Sequence, residues 1–193
     1  MATYTESGLS LDLPDDQHFR FADLAAYRRL SGQKLKEMDF AWLHDGRLWL
    51  LEIKDYTKLS DPLTRADLIP GETVDGKRSK PHRFEGLVGK VADSLMMLLA
   101  TWASTPVGAE LASQVPAAAR QLLPLKLVIA LDVLPGLLPF LGDIKTALND
   151  ELRGRLALAG RPAPAVTVLD YDRLLALPGI GASIRRTTAA GGA

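Results

Sequence analysis

The chain has 193 residues, enough for one domain that buries roughly two-thirds of its unfolded surface and too few for a second independent core. Hydrophobic residues make up 47% and charged residues 24%, which excludes disordered and collagen-like classes. Lys plus Arg equals Asp plus Glu at 23 each, so net charge selects no partner. Cysteine is absent and the three histidines are scattered, so any metal would be a hard one held by carboxylates.

The N-terminal run "MATYTESGLSLDLPDD" has neither the basic start nor the apolar core of a signal peptide. The most hydrophobic region, Leu122 to Leu141, is broken by Lys126, Asp132, Pro124, Pro135 and Pro139, so no membrane helix is expected and a cytoplasmic protein is the default reading. Residues 9–13, "LSLDL", alternate as a short strand. Residues 19–30 read equally as a short helix capped by Asp16 or as alternating strand. From Leu35 to Asp55, two β-rich runs flank an Asp45-Gly46 turn, the strongest hairpin signal in the chain. Residues 57–86 read as a long, polar, basic loop.

Leu87, Val88, Val91, Leu95, Leu98, Leu99 and Trp102 then recur at helical spacing, with Lys90, Asp93 and Ser94 assigned to another side. An Ala/Pro-rich connector leads to a buried strand at Leu125–Leu131, expected to run parallel to a neighbour. A helix near 141–158, a strand at 165–171, a short helix from Asp172 and a frayed tail at 187–193 complete the reading. This order implies a single α/β domain over residues 1–193, a mixed β-sheet flanked by helices.

A type I′ turn at Asp45-Gly46 fixes the hairpin register. Trp42 faces Trp49, Phe40 faces Leu51 and Met38 faces Ile53 on one apolar face. The other face then brings Asp39 opposite Glu52 and Glu37 opposite Lys54, with the β-carbons of the two acids about 4.5 to 5.5 Å apart. Like charges so placed destabilise a sheet unless a cation relieves them, and two carboxylates suit Mg²⁺. On a solvated hairpin the same residues would make a plain cross-strand ion pair worth a fraction of a kcal/mol. Leu48, Leu50 and Ala41 share this face, however, and make it apolar along most of its length.

"MDFAW" with Asp39, followed by "LLEIKDY" with Glu52, Ile53 and Lys54, resembles the signature of the PD-(D/E)xK nuclease superfamily and its restriction-endonuclease-like fold. Met38 stands where the family usually has proline. The resemblance implies a Mg²⁺-dependent nuclease, with Mn²⁺ able to substitute, that hydrolyses phosphodiester bonds of DNA rather than RNA, expectedly an endonuclease of restriction, repair or defence. It implies Asp39 and Glu52 as metal ligands, the Ile53 carbonyl as a third, and Lys54 as the water-activating or charge-stabilising group. A further acid from a preceding helix would be Asp23 or Asp16. The alternative is a catalytically inactive module of the same fold acting in nucleic-acid binding or protein assembly.

The cluster "GKRSKPHR" gathers Lys77, Arg78, Lys80 and Arg83, which with Lys90 are the expected phosphate-backbone contacts. The same cluster also reads as a solvated loop. "LPGIG" at 177–181 reads as a turn ending the last helix, and no phosphate loop or nucleophile elbow is present. A homodimer is compatible with cutting both strands, and the apolar helix from Leu87 to Trp102 is an alternative oligomer interface.

Overall fold

The computed structural model of the chain describes residues 1–71, 73–74, 77–78, 80–159 and 165–187. Its first element is a hairpin of β1 (Ala2–Glu6) and β2 (Leu9–Leu13), turned at Ser7-Gly8. β3 (His18–Phe19), a single 3₁₀ turn at Phe21–Asp23 and α1 (Ala25–Leu30) resolve the ambiguous segment as one piece of each kind. β4 (Phe40–His44) and β5 (Arg47–Asp55) form the expected hairpin. Asp45 and Gly46 both have positive φ, 50° and 66°, as a type I′ turn requires. The observed pairs Trp42 with Trp49 and Phe40 with Leu51 match the expected register.

The segment expected as loop holds β6 (Thr73–Val74), β7 (Lys77–Arg78) and the start of α2 (His82–Trp102). The helix starts earlier than its apolar stripe because Phe84, fully buried, anchors its first turn. The connector contains α3 (Pro106–Gln114), begun by Pro106 and capped by the Thr105 side chain, which accepts from the Gly108 N–H at 3.1 Å. β8 (Leu125–Asp132), α4 (Leu141–Ala159), β9 (Val166–Asp170), α5 (Tyr171–Leu175) and β10 (Ile184–Arg186) complete the order.

The architecture is mixed α/β. One open sheet runs β3-β4-β5-β8-β9, antiparallel across β3-β4-β5 and parallel across β5-β8-β9. On its helix side, Leu48, Leu50, Leu127 and Ile129 pack with α2 through Leu87 and Val91 and with α4 through Leu148 and Leu152. On its other side, Phe40, Leu51, Ile53 and Val128 meet Leu9, Leu11 and Leu13 of a second sheet, ordered β1-β2-β10, and Tyr171 of α5. β5 and β8 are therefore buried on both faces, which is why β8 reads as a continuous apolar run. Among the described residues no single helix is long and apolar enough to cross a membrane.

α3 folds back on α2 at close range: a Cβ on Gly108 would lie 1.9 Å from the Ala100 carbonyl oxygen. Gly108→Ala is expected to cost about 1–3 kcal/mol by overpacking. Gly154→Ala, exposed on α4 with open space around it, is expected to gain about 0.5–1 kcal/mol. Urea denaturation of both variants checks the contrast.

Candidate active site

Glu52 sits in the middle of β5, between Leu51 and Ile53, with β8 alongside. The strand's period of two turns Glu52 to the helix side with Leu48 and Leu50, while Leu51 and Ile53 turn to the other core. Its side chain has 0% exposure. An ionised carboxylate so buried costs several kcal/mol unless it is paired.

Asp39 supplies part of the surroundings. The β4–β5 ladder ends at Phe40 with Leu51, so Asp39 is the first residue beyond it. There its Oδ2 accepts the Ile53 N–H at 2.8 Å, substituting for a ladder carbonyl. Two anchors hold this departure. Arg20 Nε donates to the Asp39 carbonyl at 3.2 Å, and the Met38 N–H donates to Ser94 Oγ of α2 at 2.8 Å. Met38 thus leaves the face expected for it and packs in the helix-side core. Glu37 likewise does not meet Lys54; it accepts the Tyr27 hydroxyl instead.

Two ammoniums close on the acids. Lys54 Nζ lies 2.8 Å from Glu52 Oε1 and 3.7 Å from Asp39 Oδ2. Lys90 Nζ, reaching down from α2, lies 2.7 Å from Glu52 Oε1, 2.9 Å from Oε2 and 3.2 Å from Asp39 Oδ1. Oε1 is fully buried and receives both ammoniums, Lys90 at 2.7 Å and Lys54 at 2.8 Å. Lys54 and Lys90 keep 29% and 24% of their side chains in solvent and Asp39 10%, so the cluster opens outward past the lysines.

Burial pushes the Glu52 carboxyl up to about 7, with Asp39 adding to the rise and Lys90 and Lys54 opposing it. Burial works against the Lys54 ammonium, yet Glu52 and Asp39 outweigh it and hold its pKa above the ordinary value. Of this pair Glu52 is the group that yields, because it alone has no contact with water.

Asp39, Glu52, Ile53 and Lys54 are thus gathered at one point. The Ile53 side chain faces the opposite core, and its backbone is what meets Asp39. Lys90, expected as an outlying phosphate contact, belongs to the cluster itself. Lys80, two residues before α2, is paired with Glu151 of α4 at 2.7 Å. The Arg83 guanidinium lies 5.5 Å from the centre of the Tyr56 ring. Burial holds the Tyr56 phenol above its ordinary value, Arg83 and Lys90 pull it down and Glu52 pushes it up, so Arg83 stands at the rim of the same charge cluster. The side chains of Lys77 and Arg78 lie outside the described residues.

Among the described residues no group of three or more His, Cys, Asp or Glu side chains converges, and Asp16 and Asp23 bring no third acid to Asp39 and Glu52. A cavity of about 570 Å³ opens between α2 and α4 and is lined chiefly by Leu35, Val88, Leu95, Met96, Leu99 and Leu158. It includes neither Asp39 nor Glu52, and its Lys80 and Glu151 neutralise each other. No protein-family model, curated protein or solved structure matches the chain.

Folding raises the Glu52 pKa from 4.5 to about 7. The neutral form is therefore favoured in the fold, and the resulting stability is complete below about 4.5 and lost as pH rises through about 7. In metal-free buffer, Glu52→Gln is expected to remove this loss, which is at most about 3 kcal/mol. Urea midpoints of both proteins at pH 5 and pH 8 check it.

Proposed function

We propose that the chain is a divalent-metal-dependent phosphodiesterase of the restriction-endonuclease-like fold, a PD-(D/E)xK nuclease acting on DNA. The observation that carries this reading is the convergence of Asp39, Glu52 and Lys54 at one outward-opening point, with the fully buried Glu52 carboxylate set beside Asp39. The open mixed sheet with helices on one side of the acidic hairpin is in keeping with it.

The donor set suits Mg²⁺, which takes hard oxygen ligands and commonly one or two carboxylates. Asp39 and Glu52 would hold the ion, with the Ile53 carbonyl beside them. When bound, the ion supplies charge to the phosphoryl oxygens and acidity to a coordinated water. The overall reaction adds water across a P–O bond and leaves a phosphate monoester and a free hydroxyl.

The protein's own part is positional and electrostatic. The Ile53 N–H fixes the Asp39 carboxylate, and the Arg20 and Ser94 contacts keep its backbone from drifting. Lys54, held charged by the acids, would offer an ammonium at the edge of the site to the phosphoryl oxygens, where negative charge accumulates. Arg83, beside Tyr56, would give the DNA backbone a cationic contact that carries no sequence information, whereas Lys80 is already paired with Glu151. Two copies acting as a homodimer would present two such sites to the two strands.

One observation favours a second reading, a catalytically inactive module that binds nucleic acid or a protein partner. Lys90 already bridges both carboxylates, so the cluster is electrically complete as a structural feature.

Cleavage of supercoiled plasmid DNA by the purified chain separates the two. With Mg²⁺ or Mn²⁺ the wild type is expected to nick or linearise the plasmid, and Asp39→Asn, Glu52→Gln and Lys54→Met are each expected to lower the rate by about a hundredfold or more. Absence of metal-dependent cleavage of DNA or RNA by a folded wild type would leave the inactive module standing.

A further inference from the structure

Lys90 has a peculiar address. Counting along α2 from the buried Leu87, residues three, four and seven further on fall within one arc of the helix, and these are Lys90, Val91 and Ser94. Val91 and Ser94 are fully buried. Lys90 therefore enters the structure from the core-facing side of the helix, with its stem among apolar neighbours and its ammonium delivered to the acids.

That ammonium reaches both oxygens of Glu52, at 2.7 and 2.9 Å, and Oδ1 of Asp39 at 3.2 Å. Contact with both carboxylates at once is what a bridging divalent ion would also need. Mg²⁺ takes its oxygens at about 2.0–2.1 Å, so an ion on Oε1 and an ammonium on the same oxygen would be driven together as like charges. Charge balance points the same way. With both carboxyls ionised, as metal ligation requires, the two acids and two lysines sum to zero, and a divalent ion added to all four would leave two uncompensated positive charges in a largely buried site.

Resting on the nuclease reading above, we infer that Lys90 is a resident counter-cation that a divalent ion must displace from Asp39 and Glu52. Of the two lysines Lys90 is the one to leave. It makes the closer approach to Asp39, and it hangs from a helix by a flexible four-carbon stem, whereas Lys54 rises from the same strand as Glu52. Asp93, one turn along α2, is a carboxylate that the released ammonium can reach from the same helix. Residence of Lys90 on the acids would hold the metal-free protein folded and inert, and its displacement would free an ammonium beside the site for a phosphate of the substrate. The expected phosphate contact at Lys90 then appears only in the metal-bound state.

The test is Mn²⁺ binding to the full chain by isothermal titration calorimetry, with the Asp39→Asn/Glu52→Gln double variant as the blank that assigns the heat to this site. Lys90→Met and Lys90→Gln are expected to bind Mn²⁺ about tenfold more tightly than wild type, the scale of one charge-assisted contact removed from competition. Should both variants fail to fold, the wild type itself reports. Acetylation of the Lys90 amine, followed by peptide mass spectrometry, is expected to rise several-fold on adding Mn²⁺. Equal Mn²⁺ affinities together with unchanged Lys90 acetylation would overturn the displacement while leaving the metal site in place. No Mn²⁺ binding by wild type or by either Lys90 variant would overturn the nuclease reading and the displacement with it.

Discussion

A carboxylate with no exposed surface, placed at the centre of a strand that is buried on both faces, sets the terms for much of this structure. Glu52 would be too costly to keep ionised in a dry core, and the surrounding elements are arranged as the answer. β4 stops pairing one residue early so that Asp39 can turn in, α2 lowers Lys90 from above, and Lys54 follows two residues along the same strand. Two acids and two ammoniums cancel in charge. Both ammoniums converge on the one fully buried oxygen of Glu52, at 2.7 and 2.8 Å, so the charges of the cluster are held at a single point.

The rest of the fold explains why the cluster holds its place. β5 is hydrogen-bonded on one side to its hairpin partner and on the other to β8, so Glu52 and Lys54 stand on the most constrained strand of the sheet. The small sheet formed by β1, β2 and β10 seals the opposite face with Leu9, Leu11 and Leu13. That seal leaves Glu52 and Lys54 turned to the helix side of the sheet. α2 is fastened there by Ser94 to the Met38 N–H and by Asp93 Oδ2 to the Lys36 N–H at 2.9 Å. The helix bearing Lys90 and the chain bearing Asp39 are thus tied together at the point where they meet.

The hairpin was legible in the sequence because its signals agree: Asp-Gly at the turn, leucine- and aromatic-rich runs on either side, and a register that puts Trp42 against Trp49. The meeting of Asp39 with Glu52 followed from that register, although the side chain that completes the ladder at Ile53 did not. Lys90 was misplaced for an identifiable reason. Its charge suggested a solvent face, but its spacing from Leu87 and Val91 puts it, with Ser94, inside the buried arc of α2. A polar residue at a core position of an amphipathic helix was the available clue. β1 was hidden because "ATYTE" is a short edge strand whose alternation of Ala2 and Tyr4 with threonines is weak and only half-buried, and β10 because its three residues take their strand conformation from β2, far away in sequence. The start of α2 and the whole of α3 were obscured by Pro and Gly, which here sit at a cap, at a first turn and at a close helix contact.

The account centres on one point in space, the gap among Asp39, Glu52 and Lys90. Anomalous diffraction at the manganese edge from crystals soaked in Mn²⁺ addresses it most directly. The account predicts an anomalous peak about 2.1 Å from carboxylate oxygens of Asp39 and Glu52, with Lys90 Nζ withdrawn from both. A map without that peak, in which Lys90 Nζ still bridges the two carboxylates at saturating Mn²⁺, would contradict it.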